Sequence, residues 1–249
     1  MPDTAFSAVH PADGIEHVAW LTASLVPPPA GGVSFRVPHS YEEVLRIHHR
    51  LDEHATWSTV VPNIDIRTAP KLPYPLPDPL EQVAGELGDL AIDALLPTLQ
   101  RATTTPDHIH FAQWTGWGDL HRGSQTTTMR YASAIEQQAN DRKNAMRERS
   151  YGPIYAFVES CPHVDWWGGR TMFLFDGPIE AVRTVGTPSW FRQGLRRRCP
   201  QWWWPRDRSW FVATEIDDPC SYVAGNDQLI TDVERLGLDS ARVRQTDHW

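Results

Sequence analysis

The chain is short of cysteine, of positive charge and of long apolar runs, and each shortage removes a class of function. Only three cysteines occur in 249 residues, Cys161, Cys199 and Cys220. An odd number with no C-x-x-C spacing argues against a disulfide framework and a cysteine zinc site, and fits reduced thiols in a cytoplasm. Lys and Arg number 23 against 31 Asp and Glu, a formal net charge of -8. A general nucleic-acid binder, or a protein held on acidic lipid, needs the opposite sign. No apolar run approaches the ~18 residues that would span a bilayer. The opening MPDTAFSAVHPADG lacks the basic-then-apolar order of a secretory signal. The expectation is a cytoplasmic protein without a nucleic-acid or membrane partner. Phosphate loops, dinucleotide fingerprints and serine nucleophile elbows are missing as well. GWGD and DWWGGR are glycine turns rather than phosphate cradles.

What is there in excess is tryptophan, with 12 residues, and histidine, with 11. Hydrophobic residues make up 41% and charged residues 22%. That composition supports one large folded domain over 1–249, with a loose N-terminal arm at 1–14. His17–Leu25 reads as extended or briefly helical, and PPPAGG as a loop. Ser40 and Glu43 have the spacing of a capping box, which predicts a helix from there to about His54. Six prolines between 62 and 79 make that stretch a surface loop or stiff spacer. A second helix is expected from about Pro79 to Arg101, with Leu80, Val83, Leu87, Leu90 and Leu95 inward and Pro97 kinking or ending it. HIHFAQW (108–114) alternates as a strand, with His108, His110, Ala112 and Trp114 on one face. Residues 121–150 are polar and read as an exposed insertion containing a helix. IYAFV (154–158), TMFLF (171–175) and SWFVATEI (209–216) read as strands. Pro178 suits a first helical turn. Asn226 caps a helix with Leu229, Ile230, Val233 and Leu236 inward, ended by Gly237. Irregular alternation of strands and helices predicts an α+β fold with a mostly antiparallel sheet and packed helices.

Three segments, TMFLFDGPIEAV (171–182), WWWPRDRSWFVATEID (202–217) and SYVAGNDQLI (221–230), resemble an uncharacterised family of actinobacterial hypothetical proteins. The N-terminal segment with Arg46 and His49, and HFAQWTGWGDL, resemble it too. Ala224 stands where that family tends to have the first glycine of a turn. The resemblance implies a bacterial cytoplasmic protein and carries no activity with it.

Candidate sites therefore rest on chemistry. Trp202, Trp203 and Trp204 can form an aromatic platform, with Arg206 or Arg208 holding an anion beside it. Wide rings also fill cores. Since side chains alternate along an extended segment, at least one of the three is expected to be exposed or to cover a ligand. Glu215 and Asp217 share a strand face roughly 7 Å apart, close enough for acid–base work, or for pairing with Arg206 or Arg208. His48 lies on the apolar face expected for its helix, and His49 beside it is the candidate general base. The catalytic candidates are thus His49, Glu215 and Asp217, and the ligand-binding candidates are Trp202–Trp204, Arg206 and Arg208. No ligand set for a metal is complete in the sequence, so neither metal nor cofactor is expected. The fallback donors are His108 and His110, with Asp119 and His121 nearby, and the H-x-D pair His163 and Asp165, with His248 as a distant third. Two function classes fit: a small-molecule-binding protein or tailoring enzyme with a Trp-lined pocket, or an immunity- or antitoxin-like module whose acidic surface meets a protein partner.

Overall fold

A computed structural model describes residues 5–25, 32–50, 84–120, 134–166, 170–188 and 195–247. The expectations for PPPAGG, for the proline-rich stretch, for His121 and for His248 concern residues outside these segments, apart from Gly32.

Among the described residues, a nine-stranded sheet organises the chain. Its strands are β1 (His10–Pro11), β2 (Glu43–His48), β3 (Ile109–Trp114), β4 (His163–Trp166), β5 (Arg170–Gly177), β8 (Trp202–Pro205), β9 (Phe211–Thr214), β10 (Cys220–Gly225) and β11 (Ser240–Val243). A small second sheet pairs β6 (Gly186–Pro188) with β7 (Leu195–Arg197). The main order is β1-β5-β3-β8-β9-β10-β2-β11, with β4 also against β5, and every described pairing is antiparallel. This agrees with an α+β fold built on an antiparallel sheet.

Both faces of the sheet are covered. On one side, Leu45, Ile47, Phe111, Phe173, Phe175, Trp203, Trp210 and Val212 form a core. It lies beneath helices α3 (Asp89–Arg101) and α5 (Asp227–Glu234) and the buried end of α4 (Ala134–Ser160). On the other, Ala112, Leu174, Trp202, Trp204, Phe211 and Tyr222 pack against Val18, Leu21, Leu25 and Val33. Those four come from a 3-10 turn (Glu16–Val18), from α1 (Ala19–Ser24) and the residue after it, and from α2 (Val33–Arg36).

Double coverage explains the main departures from the sequence reading. The segment expected to be a helix from Ser40 is strand β2. Val44 to His49 are all buried, six in a row, which a strand shielded on both faces requires and a surface helix forbids. The Trp triplet is also fully inside: Trp202, Trp203 and Trp204 are 6%, 0% and 1% exposed. Their side chains do alternate, but both directions are inward. The expectation of one exposed ring is thereby corrected.

Residues 154–158 are helical, within α4, and bury Ile154, Tyr155 and Val158 at helical spacing. A five-residue apolar run cannot distinguish the two states by period. Helix α3 starts at Asp89 after Gly88, later than expected. It carries Pro97 within it and leaves Leu90 exposed. The arm is docked where it is described, since Phe6 is buried and β1 pairs with β5. Of the polar stretch 121–150, residues 121–133 lie outside the described segments. Gln137, Gln138, Asp141, Arg142 and Arg149 on α4 are exposed. Asn226 caps α5 as expected, its side chain accepting from the Leu229 N–H at 2.8 Å, and Gly237 follows with φ 72°.

Candidate functional site

The turn Pro205–Ser209 joins β8 to β9, and its sequence explains its shape. Asp207 gathers donors. Its Oδ2 accepts from Thr104 N at 2.7 Å and from the hydroxyls of Thr103 and Thr104 at 2.8 Å, and its Oδ1 accepts from Ser209 N at 3.0 Å. Burial alone would raise the Asp207 pKa, but these donors hold it down to about 2. Arg208 N–H closes the turn onto Pro205 O at 2.8 Å. The residue that must take the left-handed conformation here is Arg208, with φ 56°. Glycine or asparagine adopts that region at less cost, so an arginine there is a feature to explain.

Its guanidinium lies 4.8 Å above the ring of Trp20, on α1. The two belong to an open pocket of about 490 Å³ that Tyr41, Ser209 and Asn226 also line, with Glu42 contributing a carboxylate. Trp20 stands edge-on to Trp204 and Phe211, so Trp204 and Phe211 supply the floor beneath the pocket's own tryptophan. Tyr41 donates to Trp210 O at 3.1 Å, which fixes its ring against β9. Trp20 Nε1 is buried and has no hydrogen-bond partner among the described residues. Among the described residues, no carboxylate forms an ion pair with Arg208. The pocket therefore offers a guanidinium beside two aromatic rings. Arg206, the other arginine singled out, is exposed in the turn, and its N–H donates to His108 O at 2.9 Å.

The acid–base candidates lie at the far end of the strands. Arg208 lies before β9 and Glu215 after it, and the four residues of that strand alone span roughly 13 Å. Glu215 pairs with Arg170, and Arg170 also holds Asp217 at 2.7 Å. The carboxylates thus share one arginine, though not Arg206 or Arg208. His49 is 1% exposed, and its Nε2 lies 2.8 Å from Ser221 Oγ. Ser221 Oγ is 2.7 Å from Thr214 Oγ1, which in turn lies 3.4 Å from Cys199 Sγ. This buried polar chain belongs to the other face of the sheet. His49, Glu215 and Asp217 are therefore not brought together with the Arg208 pocket. Burial pushes the thiols of Cys161 and Cys199 up to about 12 and that of Cys220 higher still, so none is an ionised nucleophile near neutrality.

The fallback metal donors also separate. His108 and His163 are exposed, and Asp165 accepts from Thr171 Oγ1 at 2.8 Å. His110 instead meets two residues that sequence reasoning had not joined to it. Its Nδ1 lies 2.7 Å from Asp176 Oδ1, and its ring centre lies 4.4 Å from that of His17. The signal that could have found Asp176 is strand pairing, but the predicted strand stopped at Phe175, one residue short of it, whereas β5 runs on to Gly177. Nothing in the spacing points to His17.

Trp20 and Tyr41 were likewise missed, because a pocket shared by a turn, a helix and a pre-strand segment leaves no local pattern. No family model, no curated protein and no solved structure matches this chain. Among the described residues no helix is long and apolar enough to cross a membrane.

Proposed function

We propose that the protein binds a small molecule in the Trp20–Tyr41–Arg208 pocket, through an anionic group on Arg208 and a flat or apolar body against the two rings. The observation that carries this reading is Arg208 itself. A residue with a long, charged side chain occupies a left-handed position at the mouth of a pocket, and no carboxylate among the described residues forms an ion pair with it. Local strain of that kind persists where surrounding structure holds it for a purpose. The Trp20 face beneath the guanidinium orients it, and the planar fork suits a carboxylate or phosphate. The net charge of -8 opposes anions in general, so recognition is local and concave rather than a property of the whole surface.

In this reading the tryptophan-rich strand shapes the pocket from below instead of touching the ligand. Glu215 and Asp217 anchor Arg170, and His49 is placed to stabilise the buried chain through Ser221. Isothermal titration with benzoate and phenyl phosphate, against neutral benzyl alcohol, tests the proposal. Saturable binding of the anions alone, abolished by Trp20→Ala, is the expected result. Equal binding of the neutral compound, or anion binding untouched by Trp20→Ala, would sink it.

A further inference from the structure

We propose that His17, His110 and Asp176 form a binding site for a first-row divalent cation such as Zn(II), Mn(II) or Fe(II). The three come from separate segments: the 3-10 turn before α1, the start of β3 and the end of β5. One potential ligand atom from each lies within 4.8 Å of the others. The sequence contains no complete set because the fold, not spacing, assembles this one.

The sheet register fixes two of the three. His110 is directly opposite Asp176 across the β3–β5 pair, so both side chains leave the same face. His17 is delivered from above by the turn that leads into α1. Ligand bonds of about 2.1 Å place neighbouring donor atoms about 3.0–3.4 Å apart, so closing the set needs only side-chain rotation. The His17 and His110 rings are stacked, with centres 4.4 Å apart and planes at 17°, so one imidazole must turn for both to face a single ion.

The donors are also prepared for an ion. His17 Nε2 is buried and has no hydrogen-bond partner among the described residues. Such an atom is costly unless something outside the chain fills its place. His110 and Asp176 side chains keep 17% and 19% of their surface open, enough for an ion to enter and for water or a substrate group to complete its shell. Two histidines and one carboxylate, with positions left over, are a donor set suited to such cations. Trp204 lies between this cluster and the pocket tryptophan, 5.6 Å from His110 and 6.1 Å from both His17 and Trp20. The site stands independently of the anion pocket.

The test uses tag-free protein stripped with a chelator and titrated with Co(II) and Zn(II), read by calorimetry and by the visible d–d bands of Co(II). One equivalent per chain is expected. His17→Ala and His110→Ala should each weaken affinity by at least about ten-fold, whereas His108→Ala and His163→Ala should leave it unchanged. Should His110→Ala fail to fold, His17→Ala decides alone, since its residue lies on a short peripheral turn. Absence of stoichiometric binding, or equal affinity in folded His17→Ala, would overturn the assignment. Benzoate binding is measured on the same variants, so that failure of the metal site and failure of the anion pocket are told apart.

Discussion

Replacing Arg208 with glycine separates a structural role from a binding role in one molecule. Arg208 holds φ 56°, where a side-chain-bearing residue is strained by about 1–2 kcal/mol. Glycine removes that strain but gives back about 0.5–1 kcal/mol through its freer unfolded state. The guanidinium over Trp20 is worth roughly 0.5–1 kcal/mol at an exposed position. These contributions nearly cancel, so Arg208→Gly should change stability by no more than about 1 kcal/mol. For a chain of this size that is a melting shift below about 4 °C. Binding should respond very differently. Hydrogen bonds to a charged partner contribute about 1.5–3 kcal/mol, which is about 10- to 100-fold in affinity. Scanning calorimetry and titration with phenyl phosphate measure the two quantities side by side. A melting point lowered by 10 °C would make Arg208 a structural residue. Unchanged affinity in a stable variant would remove it from the pocket.

Other expectations follow from the same strand and turn. Trp210 is fully buried, edge-on to Trp203 at 5.3 Å, and its Nε1 donates to Leu99 O at 2.9 Å. Trp210→Ala should therefore cost about 3–5 kcal/mol in urea unfolding. Glu215→Gln loosens the pairing with Arg170 at the sheet end and should cost only about 1 kcal/mol in the same assay. Equal losses for the two would mean that Glu215 is a buried structural partner. Asp207 gives a pH signature. Its folded pKa, near 2, is below the unfolded value, so its stabilisation is present above pH ~4 and is lost as pH falls towards 2. Asp207→Asn should melt lower than the parent at pH 7 and converge with it near pH 2. A constant gap across that range would show that the hydrogen-bonding shape, not the charge, matters.

The parts of this molecule that were legible in sequence are those whose signal is local. Asn226, Gly237 and the Leu229–Val233 face predict α5 because a capped amphipathic helix is specified by its own residues. Strands β3, β5 and β9 are read from alternation and β-branched content. Strand β2 was hidden because burial on both faces erases the period of two, leaving Val44–His49 compatible with a helix. The Trp triplet misled for the same reason: alternation places rings on two sides, but sequence does not say that both sides are covered.

The sites were less legible still. Arg208 was singled out by its charge beside tryptophans. Trp20 and Tyr41, which make it a pocket, come from elements more than 160 residues upstream. His110 was visible as a donor, while its partners depend on strand register and on where a 3-10 turn lands. His49, Glu215 and Asp217 looked like one acid–base set, but β9 runs between the Arg208 turn and the end where they sit.

A crystal structure of the protein grown with phenyl phosphate tests the central claim most directly. Phosphate oxygens are expected within hydrogen-bonding distance of the Arg208 guanidinium, with the phenyl ring against Trp20 or Tyr41. An ordered, ligand-free pocket at saturating phenyl phosphate, or the ligand bound only elsewhere, would contradict it.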